Sequence, residues 1–138
     1  MTTFRPLRYS DFQALWKLGQ AHIDTRIRPD MDRAAQTYRQ IIADRTNCAL
    51  GEFEGDKLIG GVVVAQHKHS YAGKAFGSVY LWIGSVALLD QAVEWWEGRP
   101  VMRSLGLQFP QAVPDGVYRL LRMRGFTREG DMNMLWRK

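Results

Sequence analysis

Residues 77–98, GSVYLWIGSVALLDQAVEWWEG, change their periodicity halfway along. Gly77 to Ile83 is an apolar run with strand character, apolar enough for the middle of a sheet. Val86 to Glu97 instead sets Leu89, Ala92, Val93 and Trp96 on one helical stripe. Only Gly84 and Ser85 separate the two patterns, so the chain turns directly from strand into helix. Gly98 is placed to close that helix, and Pro100 prevents its continuation. A strand feeding a helix in this way points to an α/β sheet.

Upstream lies a hairpin. Cys48 to Phe53 is strand-like, Glu54-Gly55-Asp56-Lys57 is its turn, and Leu58 to Gln66 is a long β-branched strand. The pair Gly60-Gly61 within it predicts a bulge or the close approach of another backbone. His67 to Lys74 is polar and reads as a loop. Further upstream, Arg28-Pro29-Asp30 breaks the chain and caps a helix bearing Met31, Ala34, Ala35, Tyr38, Ile41 and Ile42 at helical spacing. An earlier helix starts at Ser10, with Gln13 completing a capping box, and runs to about His22. Its stripe is Phe12, Leu15, Trp16 and Ile23, and Thr2 to Leu7 before it is a short strand. Downstream, Val101 to Phe109 alternates as a fifth strand, and Pro114 opens a short helix with Val117, Leu120 and Leu121, closed by Gly125. Met132, Met134 and Trp136 alternate in a final strand. The order is β-α-α-β-β-β-α-β-α-β in one mixed sheet. Its 138 residues, 46% of them apolar, suit a single α/β domain over 1–138.

Composition narrows the function. No run of about 18 apolar residues exists for a membrane span, and Met1 to Pro6 lacks the apolar stretch of a signal peptide, so a cytoplasmic protein is expected. Cys48, alone, makes no internal disulfide and completes no zinc set. The net charge of +5 is confined to residues 99–138, which hold 8 Lys/Arg against 3 Asp/Glu. Such a basic third attracts an anionic partner. Nucleic acid ranks last, because the Arg119–Arg128 cluster lacks interleaved aromatics and any recognised motif. In Trp95-Trp96 only one indole can face the core; the other, with the basic region, is a candidate contact for a protein partner or a second copy. His67 and His69 have no carboxylate or thiol neighbour to complete a metal set, so no metal is expected. His69 remains a candidate general base, since imidazole titrates near neutrality.

The element order and length resemble the GNAT family of N-acetyltransferases over nearly the whole chain. Phe4-Arg5-Pro6-Leu7 with Ser10-Asp11-Phe12 is similar to the family's opening strand and helix start. Gly55-Asp56-Lys57-Leu58-Ile59-Gly60-Gly61 and Leu120-Leu121-Arg122-Met123-Arg124-Gly125-Phe126 resemble its hairpin and closing segment. The resemblance implies helices on both sheet faces. It also implies acetyl-CoA as cofactor, its acetyl-pantetheine arm between splayed fourth and fifth strands. The family's Q/R-x-x-G-x-G/A loop falls at Leu81 to Val86, where only Gly84 matches. The implied cofactor residues are Gly84, Ser85, Val86, Ala87 and Leu88, whose amides would meet the diphosphate, with Arg119, Arg122 or Arg124 drawing in phosphate. Ser85 would cap the helix, leaving N–H groups free at Val86, Ala87 and Leu88. The family's acid on the fourth strand is missing from Val79 to Ile83, its tyrosine in the last helix is Leu121 here, and the Asn before that helix is Pro114. Tyr118, one turn earlier, is the remaining catalytic candidate beside His69. These losses predict weak CoA binding. They leave two functions open: a divergent transfer of acetyl from acetyl-CoA to an amine, or a silent scaffold similar to small phage-encoded proteins of this fold, in virions or aimed at host enzymes.

Overall fold

A computed structural model of the chain describes residues 2–20, 30–68, 75–98, 106–108, 115–128 and 134–137. Its elements are β1 (Thr2–Pro6), a 3-10 turn (Tyr9–Asp11), α1 (Phe12–Gln20), α2 (Met31–Ala43), β2 (Cys48–Glu54), β3 (Lys57–Lys68), β4 (Ala75–Ile83), α3 (Val86–Glu97), β5 (Gly106–Gln108), α4 (Asp115–Met123), β6 (Phe126–Arg128) and β7 (Met134–Arg137). One mixed sheet contains them in the order β1-β2-β3-β4-β5-β7-β6. The β4–β5 pair is parallel and the others are antiparallel.

The sheet separates two cores, and the pleat decides which residue enters which. Cys48, Leu50, Val62, Val64 and Val79 pack with Leu88, Leu89, Ala92 and Val93 of α3 and with Val117 and Leu121 of α4. Leu7, Phe53, Leu58 and Val63 point the other way, onto Leu15 of α1 and onto Tyr38 and Ile41 of α2. Helices therefore cover both faces, as expected.

Three expectations are corrected. The last helix is followed by two short strands, not one: β7 lies between β5 and β6 and pairs with both. The three residues Phe126–Arg128 are too few to show a period. Second, His67 and Lys68 do not belong to a loop but continue β3, opposite Phe76 and Ala75; backbone pairing holds them despite their polarity. Third, the entry to α1 is not a Ser10–Gln13 box. Asp11 accepts from the Arg8 amide at 2.7 Å and is gripped by both Arg5 amino groups at 2.9 and 3.1 Å. Charge-assisted bonds outrank a serine cap. Of the expected fifth strand Gly106–Gln108 is described; Pro114, Met132, His22 and Ile23 lie outside the described residues.

Asp11 explains why the opening segment reads as it does. The Arg5 guanidinium, followed by the Arg8 amide, holds the Asp11 carboxyl below the usual carboxylate value, although burial opposes this. Arg5 also lies 3.9 Å over the Phe53 ring, and the Tyr38 hydroxyl donates to the Arg8 carbonyl at 2.6 Å. Burial, then the nearby Asp11 charge, pushes that tyrosine's ionisation upward, so it stays neutral. At α2, Asp30 caps the Arg33 amide at 3.1 Å, as expected.

Candidate functional site

Two irregularities sit where β4 meets α3. The first is a bulge. Val63 pairs with Leu81 but Val64 pairs with Val79, so β4 carries Tyr80 as an extra residue. Tyr80 is half exposed, while Val79 before it is buried. Bulges re-aim a strand beside functional sites. On its other side β4 is paired in parallel with β5, Phe76–Ser78 against Gly106–Gln108 among the described residues.

The second is the strand-to-helix turn. Gly84 has φ +128°, a conformation that disfavours a side chain. Ser85 then caps α3: its Oγ accepts from the Leu88 amide at 3.2 Å. Beneath this turn lies Gly60, and a Cβ there would stand 2.7 Å from the Ile83 carbonyl and 3.2 Å from the Gly84 Cα. The close backbone approach expected from Gly60-Gly61 is thus present. It is accompanied by a bulge at Ile59, because Glu52 pairs with Gly60 while Phe53 pairs with Leu58. Gly61 gives way on the opposite face, where a Cβ would meet Leu15 at 2.5 Å.

Sequence reasoning missed the charged member of this seam. Glu52 on β2 is buried, with 6% of its surface exposed. Its Oε1 and Oε2 accept from the Ser85 hydroxyl at 2.9 and 3.0 Å, and Oε2 also faces the Ser85 amide at 3.4 Å. The signal was available in the pleat. Cys48, Leu50 and Glu52 share one face of β2, so Glu52 is a charge on an inward position. Tyr80 was also missed, because a bulge shifts the alternation by one residue without changing composition.

Among the expected cofactor residues, Gly84, Ser85, Val86, Ala87 and Leu88 do form one helix terminus. Leu88, however, is fully buried and its amide is taken by Ser85. Val86 and Ala87 are exposed, and their amides have no protein acceptor among the described residues. Arg119 and Arg122 lie exposed on α4. Arg124 bonds Asp90 of α3 at 2.5 Å, which ties the two helices together. Tyr118 is half-buried. Its hydroxyl accepts from the Arg128 amide at 3.3 Å, and the Arg128 guanidinium covers its ring at 4.1 Å. It is thereby engaged at the edge strand β6, away from the turn that carries Gly84 in sheet order. Leu121 is fully buried. Trp95 packs half-buried against the core, and the Trp96 side chain and His69 lie outside the described residues. No helix among the described residues is long and apolar enough to cross a membrane.

No protein-family model matches the chain, and no curated protein does. Solved structures do match over nearly its full length. An acetyltransferase of the GNAT family from Streptococcus pneumoniae has a TM-score of 0.66 at 16% identity, covering 99% of this chain and 96% of its own. A predicted acetyltransferase from Clostridium acetobutylicum, solved with acetyl-CoA, has a TM-score of 0.69 at 14% identity, covering 95% of this chain and 93% of its own. A ribosomal-protein-alanine N-acetyltransferase from Brucella melitensis biovar Abortus has a TM-score of 0.64 at 20% identity, covering 94% of each chain. At such identities the likeness is one of fold. These neighbours do not bear on the expected likeness to phage proteins.

Proposed function

We propose that this chain, which has the GNAT fold, transfers an acetyl group from a thioester donor to an amine. The observation that carries the reading is the bulge at Tyr80, placed just beyond the last described β4–β5 pair. A bulge interrupts the ladder and turns backbone groups out of it, along which an extended thioester arm can lie. Acetyl-CoA, the donor that the fold implies, supplies an acyl carbon already activated by sulfur.

The fit of that donor is uneven. The bulge on β4 suits the pantetheine arm. The α3 terminus does not suit a diphosphate, because the Leu88 amide is capped, the Ser85 amide faces a carboxylate, and Arg124 is committed to Asp90. No step is therefore assigned to the diphosphate.

The chain's own residues supply positioning more than acid–base chemistry. Val79 to Ile83 contains no carboxylate or imidazole, so the amine must arrive neutral. Its nitrogen bonds to the acyl carbon, the C–S bond breaks, and the ammonium proton passes to solvent. With Leu121 buried and Tyr118 held at the edge strand β6, away from the bulge, the thiolate is reprotonated from solvent. The test is release of free thiol from an acetyl thioester, with acetylated product identified by mass, over a panel of small amines and peptide N-termini. Product formation that requires folded protein is expected. No thiol release above the buffer rate with any amine refutes the reading.

A further inference from the structure

We infer that Glu52 is a resident anion at the N-terminus of α3 and that it sets the class of acyl donor: a thioester recognised through its pantetheine arm rather than through a nucleotide diphosphate. The inference rests on the acyl-transfer reading above.

A helix N-terminus carries the equivalent of about half a positive charge, which favours one anion. Here the protein provides that anion itself. Glu52 is buried and meets both the hydroxyl and the amide of the capping residue Ser85. Among the described residues it has no ion-pair partner. The glycines of the seam make space for it. A Cβ on Gly60 or on Gly84 would stand 3.2 Å from Glu52 Oε2. The hollow that two absent side chains create is therefore filled by a carboxylate from inside. A diphosphate seated on the exposed Val86 and Ala87 amides would share the same helix end with that carboxylate, in a partly desolvated place where like charges repel strongly.

A donor bound mainly along β4 avoids this conflict. Its affinity comes from the arm, and the nucleotide end adds little. The expected behaviour is therefore indifference between a full CoA thioester and a pantetheine thioester without phosphate.

The experiment is calorimetric titration of the protein and its Glu52→Gln variant with acetyl-CoA, S-acetylpantetheine and inorganic pyrophosphate. Gln keeps the length and hydrogen bonding of Glu52 and removes its charge; Glu52→Met is the second variant if Gln does not fold. For the unaltered protein, acetyl-CoA and S-acetylpantetheine should bind within about fivefold of each other. In the variant, acetyl-CoA should tighten by about 100-fold, the scale of one relieved charge pair at a partly buried site, and pyrophosphate should bind where it did not before. Strong preference of the unaltered protein for acetyl-CoA, or a variant with no gain for pyrophosphate, overturns the assignment. If neither thioester binds either protein, the acyl-transfer reading and the donor class fall together. Pyrophosphate, bound by the variant alone if Glu52 holds that helix end, separates this outcome from failure of the anion's role.

Discussion

Replacing Gly60 with alanine tests the seam under α3 most sharply. The new methyl would stand 2.7 Å from the Ile83 carbonyl oxygen, about 0.7 Å short of the 3.4 Å at which ordinary contact begins. It would also press at 3.2 Å on the Gly84 Cα and on Glu52 Oε2. Two of these three neighbours are backbone, held by β3–β4 pairing and by the turn into α3, so neither can rotate aside. Overpacking of this kind costs about 1–3 kcal/mol, and the rigid neighbours favour the upper end. For a domain of this size that corresponds to a fall in Tm of about 10 °C. The comparison is Gly55→Ala in the β2–β3 turn, where φ is +62° but nothing lies within 4 Å. There only left-handed strain counts, about 1 kcal/mol. Thermal and urea denaturation of the two variants decides the matter. If Gly60→Ala costs no more than Gly55→Ala, the seam is looser than described and the reasoning fails.

Three further outcomes follow from the same structure. Gly116→Ala places a methyl in open space on α4 and should stabilise the fold by about 0.5 kcal/mol in urea denaturation. The Asp11 carboxyl is held below its ordinary value in the folded chain, so its contribution is complete above the unfolded value of about 3.9 and is lost as pH falls through the lower folded value. Asp11→Asn should therefore lower stability by about 1 kcal/mol near neutrality and flatten the acid limb of the pH–stability curve. Because β4 supplies no base between Val79 and Ile83, the rate of acetyl transfer should rise tenfold per pH unit up to the pKa of the acceptor amine; a plateau well below that pKa would reveal an enzymic base.

The order of elements was legible in the sequence because its signals are local. The β-branched run in Leu58–Gln66, the helical stripe of α3 and the glycine pair at 60–61 each reflect a propensity, a period or a steric need within a few residues. The helix terminus at Gly84–Ser85 could be read for the same reason, but not which amide Ser85 takes: it caps Leu88, one of the three expected to be free. Less was legible where distant strands meet. Glu52 lies 33 residues from Ser85, and only the pairing of β2, β3 and β4 brings them together. The bulge at Tyr80 depends on register with β3, which no property of Val79–Ile83 by itself reveals. Tyr118 shows the converse. Spacing put it one turn from Leu121, but its hydroxyl is engaged by the amide of a strand too short to be recognised beforehand.

The central claim, that a thioester arm lies along β4 beside the bulge, is tested most directly by amide NMR during titration with S-acetylpantetheine. The account predicts that the largest shifts cluster at Val79–Ser85 of β4 and the α3 turn and at Gly106–Gln108 of β5. Shifts that avoid these residues and gather elsewhere, for example in the groove between the 3-10 turn and α2 lined by Tyr9, Phe12, Met31 and Arg39, would contradict it.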